Sequence, residues 1–143
     1  MKLTYDQFRQ FTQDHCRLNN EVWQGPIKLL PWHEELLQPL IDGTYREAYC
    51  FLPRQQGKSL IFCAYALAEL LAHEQGEVYL LSATTQQCEH NFAIIEEFYW
   101  NSSALQKVLW LRQHKGEIWY VDPTTNRRKG LLKILSSDPR KGG

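Results

Sequence analysis

No stretch of this chain comes near the ~20 consecutive apolar residues needed to cross a bilayer. The N-terminus, Met1-Lys2-Leu3-Thr4-Tyr5-Asp6, also lacks the apolar core of a secretory signal. Neither sign of charge is in excess, since 16 Lys and Arg balance 16 Asp and Glu. Global charge therefore singles out neither nucleic acid nor a membrane as partner. Cysteine is scarce and unpatterned: Cys16, Cys50, Cys63 and Cys88 show no Cys-x-x-Cys spacing, which excludes the common zinc and redox motifs. Two of them fall at expected core positions, which suggests reduced thiols in a cytosol. His15, His33, His73, His90 and His114 have no metal-ligand spacing, and Cys88-Glu89-His90 alone makes no zinc site. There is no internal repeat and no low-complexity tract. What is there is ordinary for a soluble globular protein, with 43% hydrophobic and 22% charged residues in a chain of 143. That is one domain's worth, enough for a sizeable core.

The informative stretch is Leu52-Pro53-Arg54-Gln55-Gln56-Gly57-Lys58-Ser59. Glu47-Ala48-Tyr49-Cys50-Phe51-Leu52 before it reads as a buried strand. After it Leu60, Ile61, Ala64, Leu67, Ala68 and Leu71 recur at helical spacing. Strand, loop, Gly-Lys-Ser and helix form the context of a phosphate-binding loop. Successive backbone N–H groups and the positive end of a helix dipole would cradle an anion there. Gly57 lets the main chain come close, Lys58 would reach the β/γ-phosphates, and the Ser59 hydroxyl would ligate a phosphate-bound Mg²⁺. The usual motif has its first glycine where this chain has Leu52, so the loop is a variant, with Arg54 as a second cation.

Around the loop the pattern alternates. Residues 4–17 open on the capping-box pattern Thr4-x-x-Gln7 and carry Tyr5, Phe8 and Phe11 on one face, a packing surface, before Asn19-Asn20 ends the helix. Gly25 to Leu30 reads as extended, and Pro31 opens a helix carrying Trp32, Leu36, Leu37 and Leu40 that stops at Asp42-Gly43. A strand at 47–52, a helix at 58–73 and a strand at 77–82 follow, the two strands parallel through a right-handed crossover. Ala83-Thr84-Thr85-Gln86-Gln87 lies at the carboxyl end of the second strand, the edge where open α/β sheets bind ligands. A helix at 86–100 comes next, then a short one capped by Ser102 or Ser103 that carries Leu105, Val108 and Leu109. Strands at 117–121 and 130–136 flank the turn Asp122-Pro123-Thr124-Thr125-Asn126 as a hairpin or wide connection. The expectation is an α/β, three-layer fold with a mainly parallel sheet.

Three segments together resemble the N-terminal ATPase domain of phage terminase large subunits. They are Gly25-Pro26-Ile27-Lys28-Leu29-Leu30-Pro31-Trp32-His33, the loop Pro53 to Ser59, and Tyr79-Leu80-Leu81-Ser82-Ala83-Thr84-Thr85-Gln86-Gln87. The loop form Pro-Arg-x-x-Gly-Lys-Ser is characteristic of that family, and Leu-x-Pro-Trp upstream is its adenine-side motif. The resemblance implies a P-loop NTPase of the RecA/ASCE-like type, binding ATP and Mg²⁺. Pro53, Arg54, Gln55, Gln56, Gly57, Lys58, Ser59 and Leu60 would form the loop and helix start, with Lys58 and Arg54 catalytic, Ser59 on the metal, and Trp32 and His33 at the adenine. His33 stands where the family has glutamine. The implied division is residues 1–46 as N-terminal helices and adenine-side segment, and residues 47–143 as the first part of the ATPase core.

The family's hydrolysis machinery ends an apolar strand in Asp-Glu, and no apolar run followed by Asp-Glu occurs in these residues. Glu34-Glu35 and Glu96-Glu97 lie within helical patterns and read as solvated faces. Ile134-Leu135-Ser136-Ser137-Asp138 resembles the strand and loop that precede the acidic motif, so the sheet is expected to be incomplete at the C-terminus, with the nuclease domain absent. The basic residues Arg127-Arg128-Lys129, Lys133, Arg140 and Lys141 read first as a solvated turn and second as a DNA backbone contact; Arg140 lies near where the family can carry a trans-acting arginine finger. For the full-length protein the resemblance implies double-stranded DNA, a terminase small subunit, a portal protein and a homo-oligomeric ring as partners, in the host cytoplasm and away from membranes. The alternatives are a helicase-like P-loop NTPase and a truncated, non-hydrolysing prophage remnant.

Overall fold

The computed structural model describes residues 3–21, 23–41, 58–73 and 76–136, and of Lys58 and Ser59 the backbone alone. The strand expected at 47–52, the loop residues 53–57, and residues 137–143 lie outside the described residues.

Helix α1 (Tyr5–His15) begins as its capping box requires. The Thr4 hydroxyl accepts from the Gln7 N–H at 3.1 Å, and the Gln7 amide oxygen accepts from the Thr4 N–H at 3.0 Å. Tyr5, Phe8 and Thr12 are buried, and the Phe8 ring meets Tyr65 edge-on at 5.9 Å. The aromatic face is packing surface. Beyond it a small antiparallel ladder pairs β1 (Arg17–Asn19) with β2 (Gln24–Pro26), an element the sequence reading left as a helix end and an extended segment. Helix α2 (Pro31–Ile41) opens at the expected proline and buries His33, Leu37 and Ile41.

Helix α3 (Lys58–Ala72) is the most apolar helix among the described residues, and its Ile61, Leu67 and Leu70 are almost wholly buried. Each such side chain contributes roughly 1.5–3 kcal/mol through burial. Strand β3 (Gly76–Ser82), helix α4 (Thr85–Trp100) and helix α5 (Ser103–Val108) follow within a residue or two of expectation. Leu109, read as the end of the short helix, instead opens strand β4 (Leu109–Arg112). A 3₁₀ turn (Gln113–Lys115) leads to β5 (Glu117–Val121), and β6 (Arg128–Ser136) completes the hairpin across the Asp122 turn.

The four strands lie in the order β3-β6-β5-β4. β3 and β6 are parallel, in register from Gly76↔Gly130 to Ser82↔Ser136, whereas β6–β5 and β5–β4 are antiparallel. Among the described residues the parallel pairing expected of the sheet is thus confined to one ladder, because two tight hairpin connections can only make antiparallel neighbours. Alternate residues of the strands turn into the core, among them Leu80, Leu132, Ile134 and Ile118, with β3 and β6 lying against α3 and α4. The other set includes Tyr79, Leu81 and Trp110, which are 53%, 67% and 44% exposed.

Candidate functional site

The direction of α3 relative to the sheet fixes where its first turn lies. Near its C-terminus, Leu70 lies so close over Gly130 that a Cβ there would sit 3.0 Å from Leu70 Cδ1. Gly130 pairs with Gly76, the first residue of β3. Nearer the start of the helix, Phe62 and Cys63 line a cavity of about 530 Å³ together with Leu80, Leu81 and Ser82, the last residues of β3. The helix therefore runs antiparallel to β3. Its first turn, carrying Lys58 and Ser59, lies at the carboxyl edge of the sheet, where open α/β folds bind ligands.

The cavity continues along Ala83, Thr84, Gln86, Gln87, His90 and Asn91. Thr84 caps α4, its hydroxyl accepting from the Gln87 N–H at 3.0 Å. A polar chain crosses from helix to strand: the Gln87 side-chain amide donates to Asn91 Oδ1 at 3.3 Å, and Asn91 Nδ2 donates to Ser82 Oγ at 2.8 Å. Cys63 Sγ donates to the Asn91 carbonyl at 3.6 Å. Asn91 and Ser82 are buried, so this chain satisfies polar groups that would otherwise destabilise the core. It also ties the carboxyl end of β3 to α3 and α4. The sequence pattern brings Thr84 to Gln87, and Ser82 as the end of its strand, to this edge, but does not single out Asn91. The legible signal was the Gln87–Asn91 spacing of one helical turn on a face otherwise apolar.

The cavity holds no activated nucleophile among its described residues. Burial pushes the Cys63 thiol up to about 12, and Cys16, buried with Cys63 close by, is raised well above its ordinary value. Among the described residues no group of His, Cys, Asp and Glu could hold a metal ion.

Of the expected ligand residues, Pro53, Arg54, Gln55, Gln56 and Gly57 lie outside the described residues. Leu60 is partly buried against the core. Trp32 is partly buried, and its ring lies 3.9 Å from that of His33. His33 is 4% exposed. Its Nδ1 accepts a hydrogen bond from the Leu30 N–H at 2.8 Å, so in the neutral ring the proton sits on Nε2. Burial lowers the His33 pKa, which favours that neutral form. Nε2 is buried and has no hydrogen-bond partner among the described residues. An orphaned buried N–H is costly.

These elements define an α/β protein with a mixed four-stranded sheet, the first turn of α3 lying at the carboxyl end of its parallel pair. The chain is similar in fold to the crystal structure of the large terminase of bacteriophage HK97, with a TM-score of 0.77 and 15% sequence identity. The likeness covers 92% of this chain and 27% of that one, so the chain spans about a quarter of the terminase's length. No protein-family model and no curated protein sequence matches it.

Proposed function

We propose that this chain is the ATP-binding part of a terminase large subunit, the motor that drives double-stranded DNA into phage procapsids. One observation carries the reading. A fold shared with a large terminase over 92% of the chain coincides with the loop form Pro53-Arg54-Gln55-Gln56-Gly57-Lys58-Ser59 at the start of α3. In this reading the backbone from Gln55 to Ser59 cradles the phosphates. Lys58 and Arg54 offset charge at the γ-phosphate, Ser59 ligates the Mg²⁺, and Trp32 and His33 flank the adenine. ATP is the substrate and Mg²⁺ travels with it. Double-stranded DNA, a small subunit, a portal protein and a homo-oligomeric ring are the partners this reading assigns to the full-length protein, in the host cytoplasm. Among the described residues no helix is long and apolar enough to cross a membrane.

The test is nucleotide binding by calorimetry with and without Mg²⁺. Lys58→Ala should weaken Mg²⁺-ATP binding at least about tenfold, the loss of one charge-assisted contact. Equal affinity of variant and wild type would remove the phosphate role of Lys58 and with it the reading.

A further inference from the structure

The end of the sheet farthest from β3 carries a surface that the nucleotide site does not use. Trp110 and Trp119 stand directly opposite each other in the β4–β5 ladder. Their rings are stacked, 6.1 Å apart and 20° from parallel. The Arg112 guanidinium lies 4.8 Å and that of Arg128 5.1 Å from the centre of the Trp119 ring. Lys133 belongs to the same face, because Glu117 stands opposite both Arg112 and Lys133 and lies 3.8 Å from each. Three cations thus share this face with two carboxylates, Glu117 and, across β6, Glu77, which accepts from the Tyr79 hydroxyl at 2.7 Å. Beside them a shallow trough of about 510 Å³ is lined by Tyr99, Leu109, Trp110, Leu111, Arg112 and Trp119.

Packing does not account for this arrangement. Leu109 is wholly buried and Leu111 packs against the core, so β4 closes the core without Trp110, whose indole remains 44% exposed. Arg128 has no carboxylate within salt-bridge distance among the described residues. An open sheet face with stacked indoles and cations beside them is the combination that binds unpaired nucleic acid, with bases on the rings and phosphates on the cations. A duplex offers its phosphates but hides the faces of its bases. An acidic peptide would meet the cations and gain nothing from a flat ring.

We propose that the Trp110–Trp119 face binds a single strand of nucleic acid, a base stacking on Trp110 while Arg112 and Arg128 take the flanking phosphates. This goes beyond the nucleotide-binding reading and does not depend on it. The test is the anisotropy of a short fluorescein-labelled oligothymidylate titrated with the whole chain over a range of salt. Trp110→Ala should weaken binding about tenfold or more and Trp110→Phe should keep most of it, since stacking tolerates any aromatic ring. Arg128→Gln should reduce the logarithmic salt slope by about 0.7, the loss of one phosphate contact to a single strand. Circular dichroism of each variant separates loss of binding from loss of fold. Three results would overturn the proposal: no binding by the wild type, equal binding by a folded Trp110→Ala, or competition by a duplex or by polyglutamate as strong as by the single strand.

Discussion

His33 makes a pH-dependent contribution that its surroundings dictate. Its ring is buried, its Nδ1 is engaged by the Leu30 N–H, and burial lowers its pKa. In the unfolded chain the ring titrates near the ordinary histidine value and takes up a proton there, while the folded ring resists. Stability is therefore complete above that ordinary value and is lost as pH falls through the lowered folded value. Urea midpoints measured from neutral pH downward should fall more steeply for the wild type than for His33→Gln, whose amide does not titrate. Identical slopes would mean that His33 is hydrated in solution. The sequence alone placed His33 beside Trp32 on an adenine-side segment. It could not disclose the burial, or that one ring nitrogen is satisfied locally and the other is not. Those depend on how α2 seats against the core, which no local pattern encodes. Asn91 meets the same limit: its spacing from Gln87 on an apolar face can be read locally, but not that Ser82 of β3 lies 2.8 Å from its amide.

At the scale of elements, the long periodic segments were legible and the short paired ones were not. α3 and α4 declare themselves by repeating apolar positions over several turns, and their observed ends match the expected ones closely. β4 did not, because Leu105, Val108 and Leu109 continue a helical spacing. What ends the helix is long-range pairing of Leu109–Arg112 with Glu117–Tyr120, which overrides local preference. The three-residue strands β1 and β2 are too short for any period to show. The β4–β5 connection hangs on Gly116, which has φ +64 and whose added Cβ would meet the Ile134 carbonyl oxygen at 2.9 Å. Its own carbonyl accepts from the Ile134 N–H at 2.8 Å, so the two backbones cannot easily separate. Gly116→Ala should cost about 2 kcal/mol, the sum of a left-handed penalty and a backbone clash. Chemical denaturation measures this directly. A loss of a few tenths of a kcal/mol would mean that the hairpin shifts freely against β6.

For the whole molecule, binding and turnover come apart. The first turn of α3, the carboxyl end of β3 and the capped start of α4 lie together at one end of the sheet. The fold class and this edge were legible because strand–loop–helix order is written locally, in apolar runs and a Gly-Lys-Ser. Hydrolysis requires more, namely a carboxylate to polarise the attacking water, which an apolar strand ending in Asp-Glu would supply, and these 143 residues contain no such strand. In the proposed reading Lys58 and Ser59 offset phosphate charge and hold a metal, and neither is a base that would activate water. A saturating ligand still stabilises the fold it binds, by about 2.7 kcal/mol at a hundredfold excess over Kd. Mg²⁺-ATP should therefore raise the melting temperature of the purified chain, and Lys58→Ala should abolish the rise. In the same preparation phosphate release should stay at the uncatalysed level. Turnover by the wild type that disappears in Lys58→Ala would show that another group, within these residues or on a second copy of the chain, activates the water.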